Sequence, residues 1–407
     1  SGLPYETKHY WRVDEVTGRS YPSVGTIYKG DVWEFTTQLL TSEYRDKGYL
    51  YLSPLPGAEY VSPQTRYFLV RFEAVSPNDI TNLPTFIEVT GQISGPHTGQ
   101  TKVATDGRTV IFEISSIFSN DELVTVTLTP TVDPRVPGVV EPFQYQFMIT
   151  GPMPDPLPLL LPFPRSSSGS TAGEQVTNTQ SKAETEYMAS PTADVIMTTE
   201  DAVSDTASEE GMIMGNGVSV PRDFPQVVIT VNNNPSPGYI FISYPHYGDT
   251  EKYAMMLDNS GLPVWYRRGG IGNLWNEIKV QRNGTITMGM FTGYDKNFNW
   301  VWNYFTGNGY GIDHHDLEVL EDGGYLMIGG RNNTVDMSRY IPGGNSSANV
   351  HETIIQEYTA TGELIFQFRS WDNFDISDVE ANVEDPLSEN IRFPHINATD
   401  VDEDGHL

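Results

Sequence analysis

The sequence predicts an all-β protein, and three observations favour that class. Apolar and polar residues alternate over short stretches, as in residues 9–13 (HYWRV) and 31–35 (DVWEF). Turn-forming residues are frequent, with 37 glycines and 28 prolines, and β-favouring aromatic residues are abundant. Asn-Gly and Asp-Gly pairs, which join the strands of tight hairpins, recur in the C-terminal half. Together these patterns indicate many short strands rather than long helices.

The first element, residues 1–40, contains two predicted strands, at residues 3–13 and 30–37. These two stretches resemble the penultimate and last strands of a fibronectin type III-like sandwich. Because two strands alone are only marginally stable in water, we expect the other strands of this module to lie upstream of the sequence.

The second element, residues 48–151, is predicted to be an Ig-like β-sandwich. Strand patterns occur at residues 67–72, 85–89, 110–114 and 124–128, and turn residues separate them at intervals typical of a sandwich. The sequence indicates no chemistry here, and His97, in a Gly-Pro-His-Thr-Gly stretch, is predicted to be an ordinary exposed loop residue.

The third element, residues 152–223, has a different composition. A proline-rich start gives way to Ser, Thr, Gly, Glu and Ala without periodicity. Such a stretch buries too little apolar surface to offset the entropy lost on ordering, so we predict a disordered linker.

The fourth element, residues 224–407, contains a repeat. Hairpin turns centred on Gly284 and Gly323 are 323 − 284 = 39 residues apart, and the next, at Gly405, follows after 405 − 323 = 82 residues, near twice that step. A repeat of about 40 residues with two hairpins matches one four-stranded propeller blade. We therefore predict the N-terminal blades of a β-propeller, and expect the remaining blades downstream of Leu407.

Charge and composition exclude several function classes. The chain has 24 Lys and Arg against 53 Asp and Glu, a net charge of 24 − 53 = −29, which argues against nucleic-acid binding. It has no cysteine, so disulfides, thiolate metal sites and cysteine nucleophiles are absent. No apolar stretch reaches the length of about 18 residues that is needed to span a bilayer.

Two histidine-containing stretches are the candidate functional residues. His315 follows His314 in residues 311–320 (GIDHHDLEVL), and His395 lies in residues 392–400 (RFPHINATD). Both stretches start a strand that runs into an Asp-Gly hairpin, so equivalent blade positions would bring them to the same end of a central channel. Strand alternation predicts His315 and Leu317 on one face, with His314 and Asp316 on the other.

The fourth element resembles the arylsulfotransferases, sulfuryl-transfer enzymes that do not use PAPS and are built on a six-bladed propeller. Residues 238–245 (GYIFISYP) and 256–265 (MLDNSGLPVW) are similar to the first blade of the family. His315-Asp316 matches its His-Asp/Glu motif, and His395-Ile396-Asn397 matches its His-x-Asn motif. The resemblance covers residues 225–407.

The resemblance implies a ping-pong transfer of a sulfuryl group from a phenolic sulfate ester to a phenol, through a sulfohistidine and without a cofactor. His315 and His395 would donate hydrogen bonds to sulfuryl oxygens or transfer protons, Asn397 would bind an oxygen, and His314 would be their neighbour. The family's site arginine and nucleophilic histidine would both follow Leu407. Arg331 and Arg392 could supply positive charge to an anionic substrate.

Several alternatives remain open at the level of sequence. The histidines could form strand-end hydrogen bonds, and residues 313–316 (DHHD) could hold a metal, although adjacent strand residues diverge and no third ligand is evident. The whole protein could instead be an extracellular binding or adhesion protein that recognises a protein or glycan without turnover. Its modular composition, rich in acidic residues and free of cysteine, favours a secreted, extracellular or periplasmic location.

Overall fold

The structure is a computed structural model. It describes residues 8–11, 15–17, 26–28, 33–36, 43–151, 211–244, 252–269, 278–289, 291–376 and 387–401. The fold is all-β, as predicted: its sheets are built mainly from antiparallel strands, and the described helices, such as Glu43–Asp46 and Ser370–Asn373, are single turns. The chain divides into two compact units, one made of Ser1–Pro156 with Asn276–Leu407, the other of Leu157–Trp275.

The N-terminal residues form two antiparallel strand pairs. Strand β1 (Lys8–Trp11) pairs with β4 (Trp33–Thr36), and between them β2 (Glu15–Thr17) pairs with β3 (Thr26–Tyr28). Strands β1 and β4 fall inside the two predicted strands, whereas the β2–β3 pair was not predicted. The assignment of this segment to a fibronectin-like module stays a prediction.

Residues 49–148 form two four-stranded antiparallel sheets, ordered β5-β6-β10-β9 and β12-β11-β7-β8. Their inner faces share one core, in which Phe68, Val110, Val126 and Phe147 are buried. In β11 and β12 burial alternates residue by residue, as expected of strands with one face in the core. The strands are β5 (Tyr49–Ser53), β6 (Tyr67–Phe72), β7 (Ile87–Gly91), β8 (Gly95–His97), β9 (Gly99–Val103), β10 (Thr109–Ile114), β11 (Leu123–Leu128) and β12 (Phe143–Met148).

His97 is buried, so the prediction of an exposed loop histidine is wrong. It ends β8, and its ring packs against Phe118 at 4.3 Å between centroids. Its Nε2 lies 2.7 Å from Ser94 Oγ and its Nδ1 lies 2.9 Å from Ser116 Oγ. Both ring nitrogens are therefore satisfied inside the sandwich, which explains how a polar ring is tolerated there.

The second unit contains a hairpin and a three-stranded antiparallel sheet, β15-β16-β17. The hairpin corrects the predicted linker: residues 152–210 lie outside the described residues, but 211–223 include two paired strands, and Val220 is buried. Val220 and Phe224 pack with Tyr253, Met255 and Leu257 in a small core. The strands are β13 (Met212–Ile213), β14 (Ser219–Val220), β15 (Ile240–Tyr244), β16 (Lys252–Leu257) and β17 (Pro263–Gly269).

Two further sheets belong to the first unit, and each is an antiparallel meander of four strands, the strand order of a propeller blade. The last strand, β26, adds to the second sheet by pairing parallel to β24. The ring of six blades stays a prediction. The strands are β18 (Lys279–Val280), β19 (Ile286–Met288), β20 (Thr292–Tyr294) and β21 (Trp300–Asn303), then β22 (Gly311–Val319), β23 (Tyr325–Val335), β24 (Ala348–Tyr358), β25 (Leu364–Arg369) and β26 (Asn390–Phe393).

The β22–β23 hairpin turn closes with a glycine in the left-handed region. In the β22–β23 turn, the Gly323 N–H donates to Leu320 O at 3.0 Å and the Leu320 N–H donates to Gly324 O at 2.8 Å. Gly323 has φ +89°, whereas Asp322 is not in the left-handed region. This matches a three-residue loop that closes with a left-handed residue, not a two-residue turn with both central residues at positive φ.

The sandwich and the β22–β25 sheet share a second hydrophobic core. Leu69 of β6 and Ile111 of β10 point away from the sandwich core and pack with Leu317, Tyr325 and Leu364. Strands β6 and β10 are therefore covered on both faces, whereas β9, at the edge of this sheet, is largely exposed. The outer face of β6 and β10 packs against the β22–β25 sheet, which carries the candidate site.

Candidate functional site

A large irregularity in β22 positions His314 and His315. Ile312 lies opposite Gly329 on β23, and the next paired residue, Leu317, lies opposite Met327, so residues 313–316 face a single residue of the partner strand. Leu317 is fully buried, whereas the His315 side chain is 47% exposed. The predicted alternation, with His315 and Leu317 on one face, is therefore wrong, because a bulge resets the period of two.

The structure brings His315 and His395 together. Their ring centroids lie 5.3 Å apart with an angle of 75° between the ring planes. His395 follows β26, which pairs in parallel with the same sheet that carries His315. Two imidazoles that are distant in sequence thus share one exposed surface.

Asp313 holds the His315 ring in place. Its Oδ1 lies 2.5 Å from His315 Nδ1 and also accepts the backbone N–H of His315 at 2.9 Å. A carboxylate at Nδ1 fixes the hydrogen on that nitrogen, so Nε2 is the atom left to interact with a ligand.

His315 and Asn397 line an open cleft of about 470 Å³. The segment that carries Asn397 is tied to β22, because the Thr399 N–H donates to Asp316 Oδ2 at 2.8 Å. Lys279 Nζ lies 3.0 Å from Asp316 Oδ1 and 2.8 Å from Glu318 Oε2, so these carboxylates are paired with a cation. The remaining lining residues are Ala398, Thr399 and Asp400.

His314 is not among the residues that line this cleft. Its ring is partly buried, with its centroid 6.1 Å from that of Phe291, and Nδ1 has no hydrogen-bond partner. Burial lowers the pKa of His314 below its ordinary value, so the ring is neutral around pH 7.

The two arginines predicted to bind substrate differ in position. Arg331 is partly buried, and its Nη2 donates to the Thr150 carbonyl of the sandwich. Burial lowers its pKa. Because Arg331 adjoins Asn332 on a continuous ladder, it points to the opposite face of β23 from Asn332. Arg392 is exposed, next to His351 in the β24–β26 register.

Sequence reasoning missed His351. It lies on β24 opposite Asn332 of β23, and its Nδ1 is 2.9 Å from Asn332 Oδ1. Burial lowers the pKa of His351; Asp313 opposes that shift, whereas Arg392 and His395 add to it. The signal in the sequence was the polar face of β24, with Asn349, His351 and Thr353 at every second position.

The described residues contain neither a metal-binding cluster of His, Cys, Asp or Glu side chains nor a membrane-spanning helix. No group of three or more His, Cys, Asp or Glu side chains in this part of the chain is arranged to hold a metal ion, the Asp313–Asp316 stretch included. Within the same residues, no helix has both the length and the apolar character needed to cross a membrane.

No protein-family model matches the chain, and no curated protein matches it. Among solved structures, the N-terminal part of the bacterial S-layer protein SbsC is 19% identical over 25% of this chain and 24% of that one, with a TM-score of 0.20. CopC from Methylosinus trichosporium OB3b is 14% identical over 26% of this chain and 93% of its own, with a TM-score of 0.19. A longer form, rSbsC(31-844), is 10% identical over 75% of this chain and 45% of that one, with a TM-score of 0.20. The chain thus spans less than half of either S-layer structure.

Proposed function

We propose that the protein transfers a sulfuryl group from an aryl sulfate to a phenolic acceptor, as an arylsulfotransferase-like enzyme. The observation that carries the proposal is the pair of imidazoles, His315 and His395, whose ring centroids lie 5.3 Å apart and of which His315 lines an open cleft. A sulfuryl group has three oxygens that need donors, and imidazole supplies N–H donors or accepts protons near neutral pH.

The roles of the residues follow from their atoms. His315 presents Nε2, because Asp313 occupies Nδ1. Asn397 contributes an amide donor at the cleft, and the exposed Arg392 adds positive charge on the β26 side. In the first half-reaction the aryl oxygen–sulfur bond breaks as a histidine nitrogen of the full-length protein bonds to sulfur. In the second, that nitrogen–sulfur bond breaks as the acceptor oxygen bonds to sulfur and its proton is removed.

The proposal places the enzyme outside the cytoplasm, in a secreted, extracellular or periplasmic setting. The support is compositional: the chain has no cysteine, a formal net charge of −29 and β-sandwich architecture ahead of the site. Its substrates would be small aryl sulfates and phenols. No nucleic-acid partner is proposed, because the charge is of the wrong sign.

The proposal predicts that the full-length protein releases p-nitrophenol from p-nitrophenyl sulfate when a phenol acceptor is present. His315→Ala and His395→Ala should each lower the rate by about 10²-fold or more, because each removes a group aimed at the sulfuryl oxygens or the transferred proton. Absorbance of p-nitrophenolate measures the rate. Lys296→Ala, in an exposed turn of β20–β21, is the matched control and should leave it unchanged.

A binding or adhesion protein is the second candidate, and the position of Arg331 favours it. Nη2 of that guanidinium donates to the Thr150 carbonyl, so this donor is engaged within the protein rather than with a substrate anion. Under this alternative, the protein would recognise an extracellular protein or glycan without turnover. Folded full-length protein that releases no p-nitrophenol from p-nitrophenyl sulfate in the presence of a phenol would favour binding and contradict the enzyme.

A further inference from the structure

Three polar residues form a row across neighbouring strands on one face of the β22–β26 sheet. Asn332 of β23 lies opposite His351 of β24, and His351 lies opposite Arg392 of β26. Residues that are opposite each other in register share a face, so the three side chains are neighbours. His395 follows Arg392 by three positions, and this row therefore adjoins the His315–His395 pair.

The missing side chain of Gly330 determines where the His351 ring can lie. A Cβ atom at Gly330 would be 2.4 Å from His351 Nε2 and 2.7 Å from its Cε1, so the ring lies directly over this glycine. Gly330 pairs with Gly311 of β22. The ring therefore leans from β24 toward β22, the strand that carries Asp313 and His315.

The hydrogen bond at Nδ1 determines which nitrogen can act as a base. Because the Asn332 amide oxygen accepts at 2.9 Å, His351 Nδ1 carries the hydrogen and Nε2 keeps its lone pair. The charged or titratable groups around the ring are Asp313 of β22, Arg392 of β26 and His395 beyond it. Burial, Arg392 and His395 lower the pKa of His351 against the opposing effect of Asp313, so the ring is neutral at pH 7.

We propose that His351 is the general base that takes the proton of the phenolic acceptor. The inference rests on the proposed sulfuryl transfer and adds a catalytic residue to it. In the step, the acceptor O–H bond breaks and its proton moves to His351 Nε2. The oxygen bonds to sulfur as the nitrogen–sulfur bond of the sulfohistidine breaks, and the carrier nitrogen regains its electron pair. Asn332 and Gly330 act as positioning residues.

The first test separates the two half-reactions in full-length protein carrying His351→Gln. In the first half-reaction, p-nitrophenolate leaves the donor ester without needing a proton from the enzyme. The single-turnover burst of p-nitrophenol should therefore keep its wild-type rate. Steady-state turnover with phenol should fall by about 10²-fold, because the acceptor keeps its proton. Equal loss in both phases, or no loss in either, would overturn the assignment.

The dependence of the transfer rate on the acidity of the acceptor would not change if His351 had only a structural role. Across a series of substituted phenols, His351→Gln should slow transfer to weakly acidic acceptors most and to acceptors already ionised least, which steepens the dependence of the rate on acceptor pKa. Asn332→Asp should move the acidic limb of the pH profile of transfer upward, because a carboxylate at Nδ1 favours the protonated ring. An unchanged slope, or an unmoved limb, would count against a base at this position.

A glycine pair controls for folding. Gly330→Ala should reproduce the acceptor defect, because its Cβ would meet the His351 ring at 2.4 Å and the backbone oxygen of Glu352 at 2.7 Å and so displace both. Gly311→Ala, whose Cβ would meet Gly330 O at an ordinary 3.6 Å, should not. Melting temperatures check that the variants are folded. If Gly330→Ala does not fold, the comparison of burst rate and turnover rate in His351→Gln provides the test instead. If the wild-type protein releases no p-nitrophenol, the proposed function is contradicted, and the role of His351 with it. If His351→Gln turns over at the wild-type rate, only the role of His351 is contradicted.

Discussion

At the scale of single residues, a buried arginine, Arg369, depends on the two carboxylates between which it lies. The Arg369 side chain is 1% exposed; its Nε lies 2.8 Å from Glu352 Oε1, and its Nη1 lies 2.9 Å from Asp372 Oδ1. The first contact is an ion pair without an aligned hydrogen bond. Burial raises the pKa of both carboxyls. Burial alone would lower the pKa of Arg369, but the two carboxylates outweigh burial and raise it. A charge held so deeply depends on its partners.

Arg369→Met should therefore lower the free energy of unfolding by about 3–5 kcal/mol, because it leaves two buried carboxylates without their cation. It also removes donors to the carbonyls of Glu59 and Tyr60. Urea denaturation measures the loss. Arg135→Met is the matched control: Arg135 also pairs with an aspartate, Asp133, but is 87% exposed, so its removal should leave stability unchanged. Equal effects at the two sites would contradict this account.

Sequence reasoning at this scale found the histidines that stand in motifs resembling those of a known family and missed His351, which only the polar alternation of β24 marks. His315 and His395 each lie in such a motif. His351 gains its partners only through strand pairing, with Asn332 on one neighbouring strand and Arg392 on the other. Those contacts depend on register, which no local pattern specifies.

At the scale of elements, the hairpins of the repeat depend on one backbone conformation. Gly284, Gly323 and Gly362 close their turns at φ +84°, +89° and +78°. In the β20–β21 turn, Phe298 occupies the same place at φ +60°. The left-handed region costs a residue with a side chain about 1 kcal/mol, so glycine is favoured there but not required.

Gly284→Ala should lower the free energy of unfolding by about 1 kcal/mol. No atom lies within 4 Å of the added Cβ, so the cost is conformational rather than steric. Gly284→Asn should cost less, because asparagine tolerates the left-handed region better than alanine does. Chemical denaturation ranks the three proteins, and an alanine variant as stable as the wild type would show that this turn relaxes to another conformation.

Sequence patterns predicted the elements better than they predicted side-chain direction. The repeated hairpins of β18–β25 follow from turn residues and alternation, and both are local. The direction of His315 does not, because residues 313–316 bulge against Ile328 and the alternation restarts at Leu317. A bulge is set by the partner strand and by the segment at Thr399 that bonds to Asp316, so alternation alone could not locate it.

At the scale of the whole molecule, the main feature is the joint between the sandwich and the β22–β25 sheet. Its apolar part is the core around Leu69 and Ile111. Its polar part includes Arg71 Nη2 donating to Ile365 O at 2.8 Å, and Tyr51 Oη, which donates to Gln367 O at 2.9 Å and accepts from its N–H at 2.8 Å. Separate predictions for the two elements did not foresee this joint, although the near-continuous apolar runs of β6 and β10 are typical of strands covered on both faces.

Glu363 makes this joint sensitive to pH. It accepts from Lys102 Nζ at 2.8 Å and from the N–H and Oγ1 of Thr105 at 2.8 and 2.9 Å. Burial alone would raise its pKa, but these donors outweigh burial and lower the pKa of Glu363 to about 2. The stabilisation is therefore complete above pH 4.5, the ordinary pKa, and is lost as pH falls toward 2.

Glu363→Gln should accordingly lower the free energy of unfolding by about 2 kcal/mol at pH 7, the size expected for hydrogen bonds to a charged group. The difference from wild type should shrink as the pH falls from 4.5 toward 2. Denaturation curves across that range measure it. Glu113→Gln is the control, since Glu113 lies 3.7 Å from Arg66 in a pair about 40% exposed, and should show little change at any pH. A difference that is constant with pH would exclude the proposed cause.

Because β6 and β10 are covered on both faces, they also determine which fragments of the protein can be expressed alone. A clone that stops at residue 151 would turn Leu69, Ile111 and their apolar neighbours outward to water, and such a product would self-associate. Recombination that moved the sandwich alone into another gene would expose the same apolar surface. We therefore expect residues 43–151 and β18–β25, which end at residue 369, to be expressed together and to be exchanged between genes together.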